Sequence, residues 1–340
     1  GDVIYDMSVG YDLKGIQNER VQDYIRGMKD ASELVEYYRR QIPDRFREFR
    51  DLDFPTLLSN SLTLSTFHGC PPDEIEKIID FLLREHSLNC IIKLNPTLLG
   101  RDRVRELLQG MMGYSDVHVP DKAFKTDTSW DQAQGFVERL GETADQLGLG
   151  FGVKFSNTLI VENHRSFFPE SEKEMYLSGP PLHVLASNLV DCFRQRFGDG
   201  YPISFSAGID RKNFADAVAI GLTPITSCSD LLKTGGYSRA STYFRELDAR
   251  MDRLGVNNIP DYIIKVYGHS EESLSQCGLA ESDARLKACR QALENGESLR
   301  EASGPELHAT WLSRSKLINT LSYVEQATRD ERYTLLKNSK

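Results

Sequence analysis

Short β-rich runs alternate with amphipathic helical stretches along most of this 340-residue chain, and no other feature limits the fold as strongly. The strand-like runs are 3–9 (VIYDMSV), 61–66 (SLTLST), 90–95 (CIIKLN), 116–119 (DVHV), 151–157 (FGVKFSN), 202–206 (PISFS) and 223–227 (TPITS). Between them, PPDEIEKIIDFLLREH puts Ile75, Ile78, Ile79, Leu82 and Leu83 on one helical face. Pro72 suits the first turn, and Asp73 and Glu74 favour the positive helix start. Phe136, Leu140, Ala144 and Leu147 form a second stripe, Leu185, Leu189, Phe193 and Phe197 a third, and Phe214, Val218 and Ala219 mark a shorter helix. Such alternation predicts parallel strands with crossover helices. An open doubly wound sheet and a closed (β/α)8 barrel both satisfy it. No G-x-G-x-x-G follows a strand, which counts against a Rossmann dinucleotide site.

A barrel needs eight strands, one more than these runs supply. Gly1 stands where an initiator Met is expected, and a strand-like run follows at once. The chain is therefore expected to be cut from a longer polypeptide, with the first one or two strands upstream. Residues 10–60 are highly charged and read as solvated helix between the first two strands. After about residue 270 strand signals stop. The expected division is a barrel over 1–268 and a helical extension, or linker to another module, over 269–340.

With 41 basic against 50 acidic residues the net charge is −9, which excludes the broad basic face that nucleic acid or an anionic membrane requires. The six cysteines, at 70, 90, 192, 228, 277 and 289, include no C-x-x-C pair, so no iron–sulfur or zinc site is expected in this chain. They read as reduced thiols of a cytoplasmic protein. No apolar run approaches the roughly 20 residues of a membrane span, and no signal segment is expected.

In parallel α/β folds the chemistry sits at the carboxyl ends of the strands. In TLSTFHGCPP the strand leaves through Thr66 and His68 into a Pro-started helix, whose positive end is expected to lower the Cys70 thiol pKa. The bland alternative is a tight turn with His68 as a structural hydrogen-bonder. In CIIKLNPTLLG, Lys93 sits in an apolar strand and needs an anionic partner unless it snorkels at a rim, and Asn95 follows on the same face. In FGVKFSNTLI, Lys154 is a second internal strand lysine, and Asn157 and Thr158 end the strand. An Asn there either caps the strand or pairs with a flat heterocyclic edge. Last come Ser206, Ala207 and Gly208, then Thr226 and Ser227. Two successive small-residue turns late in a barrel suit a phosphate.

TLSTFHGCPP, KLNPTLLG, GFGVKFSNTL, the SAGI turn, PIT-x-x-x-DLLKTGGY-x-R and the opening MSVGYDLKGI together resemble the barrel of selenate reductase-type iron–sulfur subunits, over roughly residues 1–250. That family in turn resembles the flavin domains of dihydropyrimidine and dihydroorotate dehydrogenases. The resemblance implies an FMN site in this chain. It implies FAD, NAD(P)H and 4Fe–4S clusters only in the remaining modules of the parent polypeptide, which resemble the small subunit of glutamate synthase. It places Thr66 where the dehydrogenases carry a catalytic Cys, Thr63 where they carry a flavin-contacting Asn, and Cys70 close enough to substitute. It matches Lys93 to a lysine facing the flavin N1/O2 edge, Asn157 and Thr158 to a flavin-contacting pair, Ala207–Gly208 to the first phosphate turn, and Thr226–Ser227 to the second. Asn95 joins the cofactor set, and no metal ligand is implied.

The leading expectation is thus a barrel passing electrons between an FMN-type site and an unidentified small-molecule acceptor. One alternative is a decayed barrel acting as a scaffold, motivated by Thr63, Thr66 and Ala207. Another is a flavin-free barrel enzyme acting on a phosphorylated metabolite through Lys93 or Lys154.

Overall fold

The computed structural model describes residues 5–66, 68–164 and 168–335. Residues 3–4 of the first expected strand, Phe67, and the last five residues of the tail lie outside them. Two compact units are present, one from Gly1–Lys93 and Thr126–Gly152, the other from Leu94–Lys125 and Val153–Lys340.

In the first unit β1 (Met7–Val9), β2 (Ser61–Ser65) and β3 (Asn89–Leu94) run parallel, with Ser8 opposite Thr63, Thr63 opposite Ile91, and Ser65 opposite Lys93. Period-two alternation puts Met7, Val9, Leu62, Leu64, Cys90 and Ile92, all buried, on one face. Ser8, Thr63, Ser65 and Lys93 take the other. The helices Pro72–His86 and Trp130–Leu147 pack on each other. The first buries Ile75, Ile78, Ile79, Leu82 and Leu83, as its periodicity predicts. The second opens with a Ser129–Gln132 capping box, a motif worth about 1 kcal/mol. It buries Phe136, Leu140 and Ala144, but Leu147, on its final turn, is 42% exposed, contrary to the stripe. Arg139 clasps Glu76 with two bonds of 2.6 and 2.8 Å between these helices. Residues 10–60 form the helices Leu13–Ile16, Glu19–Lys29 and Ser32–Arg40, the last with no buried side chain, so the solvated reading holds there.

In the second unit β4 (Phe151–Phe155) and β7 (Ile203–Phe205) run parallel, with Lys154 opposite Ser204. The same rule operates. Val153, Phe155, Ile203 and Phe205 are buried on one face, and the Phe155 ring meets Phe193 of the helix Pro180–Phe197 edge-on at 5.7 Å. Lys154 and Ser204 take the other face. Three expectations are corrected. Residues 116–119 form no strand; they run from a Tyr114–Val117 turn into Pro120, and His118 accepts one bond from Glu162. Residues 223–227 contribute one bridge, Phe205 to Ile225, because Pro224 has no N–H to extend the ladder. An antiparallel hairpin of β5 (Leu159–Glu162) and β6 (Glu174–Leu177) was not expected.

The chain after residue 268 is helical, as its sequence indicates. Its longest helix, Pro305–Arg329, packs on Pro180–Phe197 and Ile259–Lys265. Trp311, fully buried, centres an apolar cluster with Ile264, Leu274, Leu286 and Leu299. Burying such side chains is worth about 1.5–3 kcal/mol each.

Candidate functional site

The first unit's strand ends are already committed to the protein. Thr63 Oγ1 donates to Asp6 at 2.6 Å, and Ser61 Oγ donates to the other oxygen of that carboxylate at 2.8 Å. Thr66 Oγ1 donates to the Lys93 carbonyl at 2.7 Å. Past the strand, His68 Nδ1 lies 2.7 Å from Asp127, whose second oxygen accepts from the Gly69 N–H at 2.7 Å. Asp127 sits just before the capping box, on a segment that gave no sequence signal. Cys70 is buried at the helix start, but its thiol is not activated. Burial, then the charges of Glu74, Asp73, Asp12 and Asp127, push it up to about 11, which corrects the expectation of a lowered pKa. Burial disfavours the thiolate most, and the nearby carboxylates add to it. Lys93 is half-buried on the polar face beside Ser65.

The second unit gathers the remaining predicted residues. Asn157 donates through Nδ2 to Asn95 Oδ1 at 2.9 Å, both side chains being buried, while the Asn157 N–H donates to the Leu94 carbonyl. Thr158, the next residue, is exposed. Lys154 Nζ reaches Thr226 Oγ1 at 3.0 Å. Ser227 Oγ donates to the Ile209 carbonyl at 3.1 Å, tying the two late turns together. The same hydroxyl lies 3.0 Å from Tyr243 Oη, which donates to Asp230 at 2.7 Å. Burial pushes the Asp230 carboxyl up, but hydrogen bonds from Arg239, Tyr243 and Lys233 outweigh it and bring it down to about 2. This anionic brace behind the second turn was not foreseen. The DLLKTGGYSR segment carries Asp230 and Arg239, yet nothing in the spacing shows that they meet.

The turns themselves leave donors unpaired. Among the described residues, the backbone N–H groups of Ala207, Gly208, Ile209, Ser227 and Cys228 have no hydrogen-bond acceptor. Ala207 and Ile209 are each 3% exposed, and N–H groups so placed are normally paired. Gly208 has φ +56°, and a Cβ on it would lie 2.7 Å from the Gly179 carbonyl oxygen. Glycine is thus required by the close backbone approach of the helix Pro180–Phe197. Unpaired N–H groups on two linked turns, with an ammonium on the Thr226 hydroxyl of the second, are chemically suited to an anionic group such as a cofactor phosphate. Among the described residues no group of His, Cys, Asp and Glu could hold a metal ion, and no helix is long and apolar enough to cross a membrane.

Residues 1–273 match the family described as "Oxidoreductase YgfK, N-terminal TIM-barrel domain". Over 275 residues the chain is 38% identical to YgfK of Escherichia coli (strain K12), a match covering 75% of this chain and 26% of that protein. The same figures hold for YgfK of Escherichia coli O157:H7. The chain thus spans about a quarter of the length of the curated relatives it matches. Among solved structures, ligand-free DHODH from Eimeria tenella aligns with a TM-score of 0.35 at 18% identity, over 66% of this chain and 67% of that one. The complex of Eimeria tenella DHODH with ferulenol gives 0.35 at 17% identity, over 67% and 65%.

Proposed function

This chain belongs to the YgfK N-terminal TIM-barrel family, and from that premise we propose that it is the flavin-binding barrel of a multi-module oxidoreductase. The observation that carries the proposal is the paired turn, where unpartnered N–H groups of Ala207, Gly208, Ile209, Ser227 and Cys228 accompany the Lys154 contact to Thr226. An FMN phosphate is the ligand proposed for that cradle, with Asn95, Asn157 and Thr158 as further contacts. Bound there, FMN would supply one- and two-electron chemistry that no side chain can. Lys93 is proposed as the cation that stabilises negative charge near it. The Thr66 hydroxyl points its hydrogen at the Lys93 carbonyl, so Cys70, which is protonated at neutral pH, is the better proton-donor candidate. The NAD(P)H, FAD and 4Fe–4S chemistry is assigned to the remaining modules of the parent, in a cytoplasmic enzyme. The acceptor is proposed to be a small molecule, with selenate the one the family resemblance suggests.

The committed hydroxyls of Thr63 and Thr66 favour a second reading, a barrel kept as a scaffold after losing its redox site. One measurement separates the two. Flavins released from the anaerobically purified full-length parent should include both FMN and FAD. FAD alone would leave the scaffold reading standing.

A further inference from the structure

The Ala207–Gly208 turn is held from behind by His183 and Asn213, each of which is held in turn by a tyrosine of the helical tail, beyond the matched barrel region. His183, fully buried, contacts the Ala207 carbonyl through Nδ1 at 2.7 Å and Tyr323 Oη through Nε2 at 2.5 Å. Asn213 Nδ2 donates both to Tyr333 Oη and to the Gly208 carbonyl, each at 3.0 Å. The Tyr333 ring stacks on His183 with centroids 4.9 Å apart. Two hydrogen-bonded arms thus run from the turn to the tail, Ala207–His183–Tyr323 and Gly208–Asn213–Tyr333, with the Tyr333 ring stacked on His183 between them.

With His183 neutral, only one assignment of protons satisfies both arms. A carbonyl can only accept, so His183 carries its proton on Nδ1, and Nε2 accepts from Tyr323. Tyr333 accepts from Asn213 Nδ2. Burial keeps His183 neutral, as this assignment requires. The consequence for the turn follows from peptide planarity. Fixing the Ala207 carbonyl fixes the N–H of Gly208 on the opposite edge of the same plane, and fixing the Gly208 carbonyl does so for Ile209. These are two of the open donors of the cradle.

We infer that Tyr323 and Tyr333 of the helical tail, acting through His183 and Asn213, are positioning residues that aim the Gly208 and Ile209 N–H groups at a bound phosphate. The inference rests on the phosphate reading of the turn given above, but the geometric coupling can be tested without it. In the full chain, Tyr323→Phe and Tyr333→Phe keep both rings and delete one hydroxyl each. Two readouts are needed: the ratio of FMN to riboflavin affinity by flavin fluorescence, and amide hydrogen exchange over residues 206–210. Each variant should hold riboflavin as the wild type does and lose about fivefold in FMN preference, the size of one net hydrogen bond. Exchange at the turn should quicken while the Trp311 cluster stays protected. Should a Tyr variant fold poorly, Asn213→Asp removes the Nδ2 donors while retaining Oδ1, and exchange alone is read. Unaltered FMN preference together with unaltered exchange would overturn the positioning role. A wild type that binds FMN no better than riboflavin would sink the phosphate reading instead. Exchange would then still decide the coupling, supporting it if faster and refuting it if not.

Discussion

The two sets of strand ends are built from similar residues and leave opposite things open. In the first unit, Thr63 and Thr66 spend their hydroxyls on Asp6 and on the Lys93 carbonyl, and His68 and Gly69 share Asp127. In the second, side chains serve as braces, and the peptide N–H groups of Ala207 to Ile209 and of Ser227 and Cys228 are what remains available. A motif match names residues, but what a residue can do depends on which of its donors the fold has already used. By that criterion the second unit's turns keep backbone donors unpaired, and the first unit's hydroxyls are already used.

The sharpest attack on this contrast is at Gly208. A side chain there meets the Gly179 carbonyl and must adopt a left-handed φ. Gly208→Val should cost about 3 kcal/mol or more, combining the conformational penalty with overpacking. Urea unfolding would show it. A loss under about 1 kcal/mol would mean that the turn can move away from the helix, and that its N–H groups are not fixed in place.

Next in size is a charge comparison between the two strand lysines. Lys154→Ala should weaken FMN about tenfold and riboflavin little, since a charge-assisted bond to phosphate is worth about 1.5–3 kcal/mol. Lys93→Ala should leave that ratio intact and instead slow flavin reduction in the full-length enzyme. Reversed phenotypes would exchange the roles assigned to the two residues.

Much of this was legible in the sequence. Period-two and period-3.6 patterns locate β2, β3, β4 and the helix Pro72–His86, because each buries one apolar face and local chemistry suffices. The late turns were legible as small residues after strands. What stayed hidden depended on distance along the chain. Lys154 meets Thr226 across 72 positions, His183 meets Tyr323 across 140, and Asn213 meets Tyr333 across 120. No local pattern encodes such pairings. DVHV misled because four alternating residues carry little weight against a following proline. Cys70 misled because a helix start was weighed without the burial of the thiol and the carboxylates gathered around it.

A smaller effect should appear with pH. Burial first, opposed by the Ala207 bond and reinforced by Arg332, pulls His183 down to about 4 from an ordinary 6.5, while Asp210 and Asp330 act weakly the other way. The unfolded chain therefore binds the proton that the folded chain refuses. Stability from this site is fully present above about pH 6.5 and is lost as pH falls toward 4. His183→Asn, which keeps a donor near the Nδ1 position, should flatten that slope in thermal scans between these limits. An unchanged slope would place the titration elsewhere.

The smallest effect tests the first unit. With its hydroxyl aimed at the Lys93 carbonyl, Thr66 is not poised to protonate a substrate, so Thr66→Val in the full-length enzyme should cost about 1 kcal/mol of stability and alter the rate of substrate reduction less than about twofold. Cys70→Ala is the paired control, since proton loss there should slow turnover if that thiol is the donor. A drop of about a hundredfold in Thr66→Val, the size expected for removal of a general acid, would show that the bond to Lys93 breaks during turnover. Thr66 would then be the proton donor after all, and the contrast between a committed first unit and an open second one would fail at the residue where it is most exposed.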